Sequence, residues 1–313
     1  MPLIEPARDP VFVVVLNWNG RADTLVCLRS LTTVVAPHLT VVLVDNGCAE
    51  FSAAELSALV PNSYYLRSPD NRGFAGGCNL AIRHALNRGA QLVFLLNNDA
   101  VVEPDTVAEV ARVAAADPTV GVVGAKLLQT HRPNILESAG LRVNLRSGRL
   151  YQIGFGEEDT GQYDTGSDVS AVSGCAMLLT QAVCERLGGF DERYFAYLED
   201  VDLCLRARSA GFAVRFAPRA RVYHRGKGST ARDQSTLSSY YATRNHLLLM
   251  DTHGCGGAAQ RSLRRIAVVL FNLAYALRGR PDSMYARLHT VARAVGDYRR
   301  DRFGAAPLGG SAY

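Results

Sequence analysis

Three apolar runs, each ending in a short Asn/Asp string, constrain the fold of this chain more than any other feature. VFVVVL (Val11–Leu16) runs into Asn17-Trp18-Asn19-Gly20, LTVVLVDN (Leu39–Asn46) carries Asp45 at its end, and QLVFLL (Gln91–Leu96) runs into Asn97-Asn98-Asp99. Continuous apolar runs without polar alternation read as strands buried on both faces. Helical stretches separate them. One starts near Asp23, a good N-cap, and carries Leu25, Leu28 and Leu31. A second follows the glycine-rich NRGFAGGCN (Asn71–Asn79) and closes near Gly89, and a third runs from Pro104 to Asp117-Pro118. Strands alternating with helices predict an α/β fold around a mostly parallel sheet, with the polar strand ends gathered along one edge.

With 313 residues, 48% of them hydrophobic and 20% charged, the chain can bury a large core and is not a disordered polymer. The expected division is an α/β domain over residues 1–230 and a mainly helical, basic region over 231–313. Residues 144–170, rich in Gly, Asp and Glu, read as a long loop. Ser173–Thr180 returns to strand, a helix follows through Leu187, and Val214–His224 reads as strand-turn-strand. The opening MPLIEPARDP lacks the basic-then-apolar layout of a signal peptide, so a cytoplasmic protein is expected. The seven cysteines form no close metal-binding pairs; Cys27, Cys78, Cys175, Cys184 and Cys204 lie in apolar or helical patterns and read as reduced core residues.

Charge is divided unevenly. Residues 1–205 hold 15 Lys/Arg against 24 Asp/Glu, a net of −9, whereas residues 206–313 hold 19 against 5, a net of +14. The basic third therefore faces something anionic. No helix-turn-helix, zinc-finger or RNA-recognition pattern accompanies it, so nucleic acid is not expected as a partner, and ligand phosphates or an anionic membrane surface are. Ile266, Val269, Leu270, Leu273 and Leu277 recur at helical spacing, flanked by Arg261, Arg264, Arg265, Arg278 and Arg280. The apolar stretch is shorter than the roughly 20 residues of a membrane span. It fits either a helix lying on the inner face of a membrane or one packed against the catalytic domain. Homo-oligomers are compatible with all of this.

The polar strand ends are where chemistry is expected. Asp99, at the carboxyl end of a strand, suits a ligand for Mg²⁺ or Mn²⁺, the remaining positions going to phosphate and water. Asn97 and Asn98 carry no charge and suit the orientation of a water or a hydroxyl. Asp45 can accept from a base N–H or a ribose hydroxyl, and Asn17, Trp18 and Asn19 offer amides and an aromatic wall on the same edge. Around Asn71, Arg72 and Gly73 the glycines admit phosphate or sugar to the backbone, and Arg72 can pair with phosphate. In LEDVDLCLR (Leu198–Arg206), helical spacing puts Glu199 and Asp202 on one face with Asp200 turned aside. Three crowded acids with no adjacent base raise at least one pKa, which suits a general base. VYHRGKGST (Val222–Thr230) places His224 at a strand end, where its imidazole can complete a metal shell, and Arg225 and Lys227 can bind diphosphate.

Taken in order, VLNWNG, VVLVDN, NRGFAGG, LLNND, GGFDERYFAYLEDVDLCLR and VYHRGKGS resemble glycosyltransferase family 2, in particular its rhamnosyltransferase-like and galactofuranosyltransferase-like members. YYATRNHLLL (Tyr240–Leu249) is also typical of the former. The resemblance implies a GT-A fold and inverting, metal-dependent transfer from a nucleotide-diphospho-sugar to an acceptor hydroxyl. It implies Asp99 as the last acid of the DXD-type metal motif, here NND, with His224 as a further metal ligand. Asp200 of the Glu199-Asp200 pair falls at the catalytic base, and Asp45 and the turn around Asn17 at the nucleotide. Deoxythymidine-diphospho-rhamnose is the donor it favours, followed by UDP-sugars, with a glycan, a lipid-linked saccharide or a natural product as acceptor.

Two other readings compete. A nucleotide-sugar-binding protein without turnover, at a membrane surface, would have no need of Asp99, Asp200 and His224 together. A nicotinamide-dependent dehydrogenase or a methyltransferase would want G-x-G-x-x-G after Leu16, where the chain has NWNG.

Overall fold

In the computed structural model, which describes residues 10–36, 38–165, 168–226, 236–277 and 284–306, the three apolar runs are strands β1 (Val11–Asn17), β2 (Leu39–Asn46) and, after β3 (Ser63–Ser68), β4 (Leu92–Asn97). They lie parallel in the order β3-β2-β1-β4. Side chains alternate between two cores, Val14, Val42 and Val93 on one face and Val13, Val41 and Phe94 on the other. Helix α3 (Gly73–Leu86) covers the first face through Cys78, Ile82 and Ala85. Helices α1 (Arg21–Leu31), α2 (Ala53–Leu59) and α4 (Thr106–Ala115) cover the second. The register pairs Asn17 with Asp45 and Leu16 with Asn97, so the polar strand ends are level at one edge.

The other half of the sheet is mixed. Strand β10 (Ala176–Thr180) lies antiparallel between β4 and β6 (Val120–Gln129). Strand β11 (Ala213–His224) runs parallel to β6, β5 (Ala100–Val102) pairs antiparallel with β11, and β7 (Arg132–Ser138) pairs with β6. The expected strand-turn-strand at Val214–His224 is thus one strand. Its register shifts between Ala217 and Arg221, around Pro218, which has no N–H for the ladder. Residues 144–170 are also not one loop, because a hairpin of β8 (Leu141–Asn144) and β9 (Arg149–Gln152) opens the segment. All seven cysteines are free thiols.

Beyond the hairpin, a buried cation pins the stretch that carries Asp159 and Asp164. Lys126 of β6, 2% exposed, sits 2.9 Å from Asp159 and 2.6 Å from Asp164, and Arg221 of β11 reaches Asp159 at 3.2 Å. Removing one partner of a buried ion pair strands the other charge. Lys126→Met should therefore lower the unfolding free energy by about 3 kcal/mol in urea titrations, near the low end for such losses because Arg221 still pairs with Asp159.

Helices α5 (Gln181–Leu187) and α6 (Glu199–Ser209) lead into β11, and α7 (Thr236–His253), α8 (Ala258–Leu277) and α9 (Met284–Arg299) complete the fold. Among the described residues no helix is long and apolar enough to cross a membrane.

Candidate active site

At the level edge, the ends of β1, β2 and β4 are tied by a polar chain. The Asn98 amide donates to the Thr24 hydroxyl of α1 at 2.9 Å, and that hydroxyl lies 2.7 Å from Asn17 Oδ1. The Asn17 amide donates to Glu50 at 2.9 Å. Trp18 is half-buried beside this chain and Asn19 is exposed. The Asp45 carboxylate, fully buried, accepts from the backbone N–H groups of Cys48, Ala49 and Glu50 at 2.7–3.0 Å, from the Cys48 thiol and from the Tyr65 hydroxyl. Burial alone would raise its pKa, but the Cys48 thiol and these amides outweigh burial and hold it below the usual carboxylate range. In this structure Asp45 therefore shapes the turn after β2.

Its neighbour Asn46, the last residue of VVLVDN but not among the expected site residues, organises the glycine-rich turn. The Asn46 amide donates to Asn71 Oδ1 at 3.0 Å and to the Gly73 carbonyl at 3.1 Å, and its Oδ1 accepts from the Arg72 N–H at 3.0 Å. Gly73 has φ +68°, and a Cβ there would lie 2.3 Å from the Phe195 carbonyl, so only glycine fits. Arg72 is half-exposed and 3.6 Å from Glu192.

Asp99 and His224, more than a hundred residues apart in sequence, meet where β4 ends and β11 ends, with His224 Nε2 3.1 Å from Asp99 Oδ1. The other ring nitrogen, Nδ1, lies 2.7 Å from Glu137 of β7. A carboxylate on Nδ1 holds the imidazole with Nε2 turned to Asp99, the outer-shell partner typical of metal-binding histidines. Burial disfavours a charged ring, yet Cys175, Asp99 and Glu137 outweigh it and raise the His224 pKa well above the ordinary value. The same concentration of negative groups suits a divalent cation, and an imidazole nitrogen beside a carboxylate oxygen is a fitting donor pair for Mn²⁺ or Mg²⁺. No group of three or more His, Cys, Asp or Glu that could hold a metal ion is present among the described residues, so Asp99 and His224 would be the protein's two ligands. Asn97 Nδ2 lies 3.4 Å from His224 Nε2. Arg225 pairs with Asp23 of α1, and Lys227 lies outside the described residues.

The acidic cluster of α6 divides by environment. Asp202, buried, is gripped by Arg206 at 2.7 Å and His253 at 2.8 Å; burial would raise its pKa, but these two partners lower it, and its role is structural. Glu199 is buried with Oε2 unpartnered among the described residues, and burial together with Asp200 pushes its pKa well up. Asp200, half-buried, accepts from the Gly174 N–H and the Val201 N–H, each at 2.8 Å. Burial raises its pKa against the pull of those amides. Gly174 permits the approach, since a Cβ there would lie 3.3 Å from both Asp200 Cβ and Phe74.

One turn joins the two centres. Gly174 holds Asp200, while Cys175 accepts the Asn97 N–H at 2.8 Å through its carbonyl and bonds His224 through its thiol. The segment before Asp200 is equally determined. Phe195, Tyr197 and Leu198 have φ of 63°, 70° and 71°, conformations costly for such residues. Side chains of α7 hold it. The Asn245 amide donates to the carbonyls of Tyr194, Ala196 and Tyr197 at 2.7–2.9 Å, and Arg244 donates to those of Arg193 and Tyr194.

Known proteins similar to this chain are sugar-transferring enzymes. An N-acetylglucosaminyl-diphospho-decaprenol L-rhamnosyltransferase of Mycobacterium tuberculosis is 27% identical over 273 residues, 78% of this chain and 85% of that protein. A low-salt glycan biosynthesis hexosyltransferase of Haloferax volcanii is 24% identical over 247 residues, 77% of this chain and 75% of its own length. A mannosyltransferase from Pyrobaculum calidifontis, solved with GDP-Man and Mn²⁺, superimposes with a TM-score of 0.57 at 18% identity, covering 94% of this chain and 83% of that one, and shares the GT-A fold. The sequence model described as glycosyltransferase like family 2 matches residues 7–245. With that match across most of its length, the chain belongs to glycosyltransferase family 2 and is an enzyme of that family.

Proposed function

We propose that this enzyme transfers a sugar, with inversion at the anomeric carbon, from a nucleoside-diphosphate donor to an acceptor hydroxyl, with Asp200 as the base. The observation that carries the reading is the Ser173–Cys175 turn, which binds Asp200 through Gly174 and the Asp99–His224 pair through Cys175. Each Asp200 oxygen receives one backbone N–H and keeps a further lone pair, so either can take the acceptor proton. As the proton moves to Asp200, the acceptor oxygen bonds to the anomeric carbon, and the bond from that carbon to the phosphate oxygen breaks, its electrons leaving with the diphosphate. Asp99 and His224 would hold Mg²⁺ or Mn²⁺, which when bound neutralises charge on the leaving diphosphate.

Arg72, and Arg225 with Lys227, are assigned to the diphosphate, and the turns at Asn17–Asn19, Asp45 and Asn71–Gly73 to the nucleoside and sugar, with Asn97 and Asn98 beneath them. Residues 1–230 carry the donor site and the base, and 231–313 back the acceptor side. The L-rhamnosyl relative supports rhamnose on deoxythymidine diphosphate as the first donor to test, with UDP-sugars next. A glycan, lipid-linked saccharide or natural-product hydroxyl is the acceptor. Seven free thiols support a reducing, cytoplasmic setting.

Calorimetric titration with UDP, dTDP and GDP, each with and without Mn²⁺, tests the donor side. One nucleotide should bind only with metal, and Asp99→Ala should remove that binding. Glu137→Ala should weaken Mn²⁺ by about 10–100-fold, as loss of an outer-shell carboxylate does. Metal-independent binding in the wild type would overturn the Asp99–His224 assignment.

A further inference from the structure

We propose that helix α8 seats this enzyme on an anionic lipid surface, its exposed apolar stripe in the interface and the acceptor side of the active site beside it. Leu263, Ile266, Leu270 and Leu277 are 68%, 57%, 57% and 52% exposed. At about 100° per residue they fall in one narrow line along the helix, and Ala259 and Ala274, also exposed, continue it. The opposite face is spent on packing, through Arg264, Val268 and Ala276. A monomer gains nothing from holding four large aliphatic side chains in a row in water.

The occupant is indicated by the rim. Helix α8 contains three arginines and no acid, and the β8–β9 hairpin packed beside it (Leu141–Gln152) likewise contains three arginines and no acid. Arg149 lies over the Phe271 ring at 5.2 Å, and Arg264 donates to the Leu145 carbonyl at 3.2 Å, fixing the hairpin against the helix. Arg146 and Arg149 are exposed along one flank, while Arg261, exposed near the start of the helix, and Arg265, held by Asp251, lie on the side of the helix away from the stripe. An apolar line bordered by the exposed guanidinium groups of Arg146 and Arg149 matches a bilayer interface carrying anionic headgroups. A second copy fits poorly, because a two-fold contact would bring the same arginines face to face.

The stripe also has a defined relation to the chemistry. Tyr275, in the last turns of α8 but on the side of the helix away from the stripe, lies near the Tyr197 phenol, and Tyr197 stands two residues before Glu199. A protein lying on α8 therefore holds the segment that carries its base next to the membrane, where an acceptor hydroxyl on a lipid-anchored saccharide would be presented. That last step rests on the transferase reading, but the lipid docking does not.

The test is co-sedimentation of the full chain, without nucleotide, with vesicles of phosphatidylcholine alone or of phosphatidylcholine and phosphatidylglycerol at 3:1. Partitioning should be at least about tenfold higher on the anionic vesicles and fall with added salt. Ile266→Glu with Leu270→Glu should reduce it at least about tenfold, and Arg146→Ala with Arg149→Ala should reduce the preference for the anionic lipid. Circular dichroism and the nucleotide titration of each variant establish that it is folded. Wild-type protein left in the supernatant, or a double-Glu variant that sediments like wild type, overturns the proposal. So does a concentration-dependent dimer that the double-Glu variant dissociates while no vesicles are bound, because the occupant is then a second copy. Vesicle binding by a chain that binds no nucleotide would overturn the transferase reading and leave the docking intact.

Discussion

Asp200→Asn should cut sugar transfer by about 10²–10⁴-fold while nucleotide affinity stays close to wild type. Asparagine keeps the size of the side chain and one carbonyl oxygen for the Gly174 or Val201 N–H, but it cannot take the acceptor proton. Glu199→Gln is the matched control. Burial and Asp200 both disfavour the charged form of Glu199, so glutamine removes a charge the site opposes and transfer should persist within about tenfold. A carboxyl whose folded pKa is raised adds stability fully present below its unfolded pKa and lost as pH rises through the folded value. Glu199→Gln should therefore gain stability relative to wild type above the ordinary carboxylate range, a gain read from melting temperatures across pH. The rate itself should fall as pH drops through the raised pKa of Asp200, which lies above the usual range near 4. Equal loss of activity in the two variants would remove the distinction between base and neighbour.

Where the chain declares itself locally, the sequence was sufficient. Val11–Leu16, Leu39–Asn46 and Gln91–Leu96 are continuous apolar runs, and each forms a buried strand with its polar end at the ligand edge. Other parts had no such signal. β3 mixes half-buried and exposed residues without regular alternation, and β6 carries Lys126 in the middle of its apolar run, a cation legible as buried only once Asp159 and Asp164 are beside it. The antiparallel insertion of β10 between β4 and β6 is a matter of topology, which no local pattern encodes.

The same division runs through the site. His224 beside Asp99 was anticipated from strand ends and from the family resemblance, and the 3.1 Å separation brings them together. Glu137 was not, because a glutamate on an edge strand looks like any solvated charge until a histidine turns to it. Gly174 gives no sign of holding the Asp200 carboxylate through its N–H, and the six donors that occupy Asp45 lie partly in a turn with no motif. Arg244 and Asn245 stand in a stretch recognised as typical of related enzymes, but their task depends on carbonyls some fifty residues earlier.

Arg244→Leu should cost the fold about 2–3 kcal/mol, the upper part of the range for hydrogen bonds to a charged group. The side chain is fully buried. It donates to the carbonyls of Gly304 at 2.8 Å, Tyr194 at 3.1 Å and Arg193 at 3.2 Å, and lies 5.1–5.8 Å from the ring centres of Tyr240, Tyr241 and Phe303. Leucine retains apolar contact with those rings but takes a charged donor from all three carbonyls; Tyr194 keeps the Asn245 amide and Arg193 keeps the Gly304 N–H, so the Gly304 carbonyl is the one left unpaired, at about 1–3 kcal/mol. Two of those carbonyls begin the Arg193–Leu198 segment, whose positive-φ residues persist only while their surroundings over-determine them. Loss of stability should therefore come with loss of turnover at unchanged nucleotide affinity, since the relaxed segment leads into Asp200 and not into the donor site. Arg244→Lys separates the two causes. It keeps a charge and one donor, but an ammonium cannot span three carbonyls, so stability should recover in part while turnover stays low. Urea unfolding and transfer measured on the same preparations decide it. A leucine variant within about 1 kcal/mol of wild type would mean that Asn245 alone holds the segment before the base.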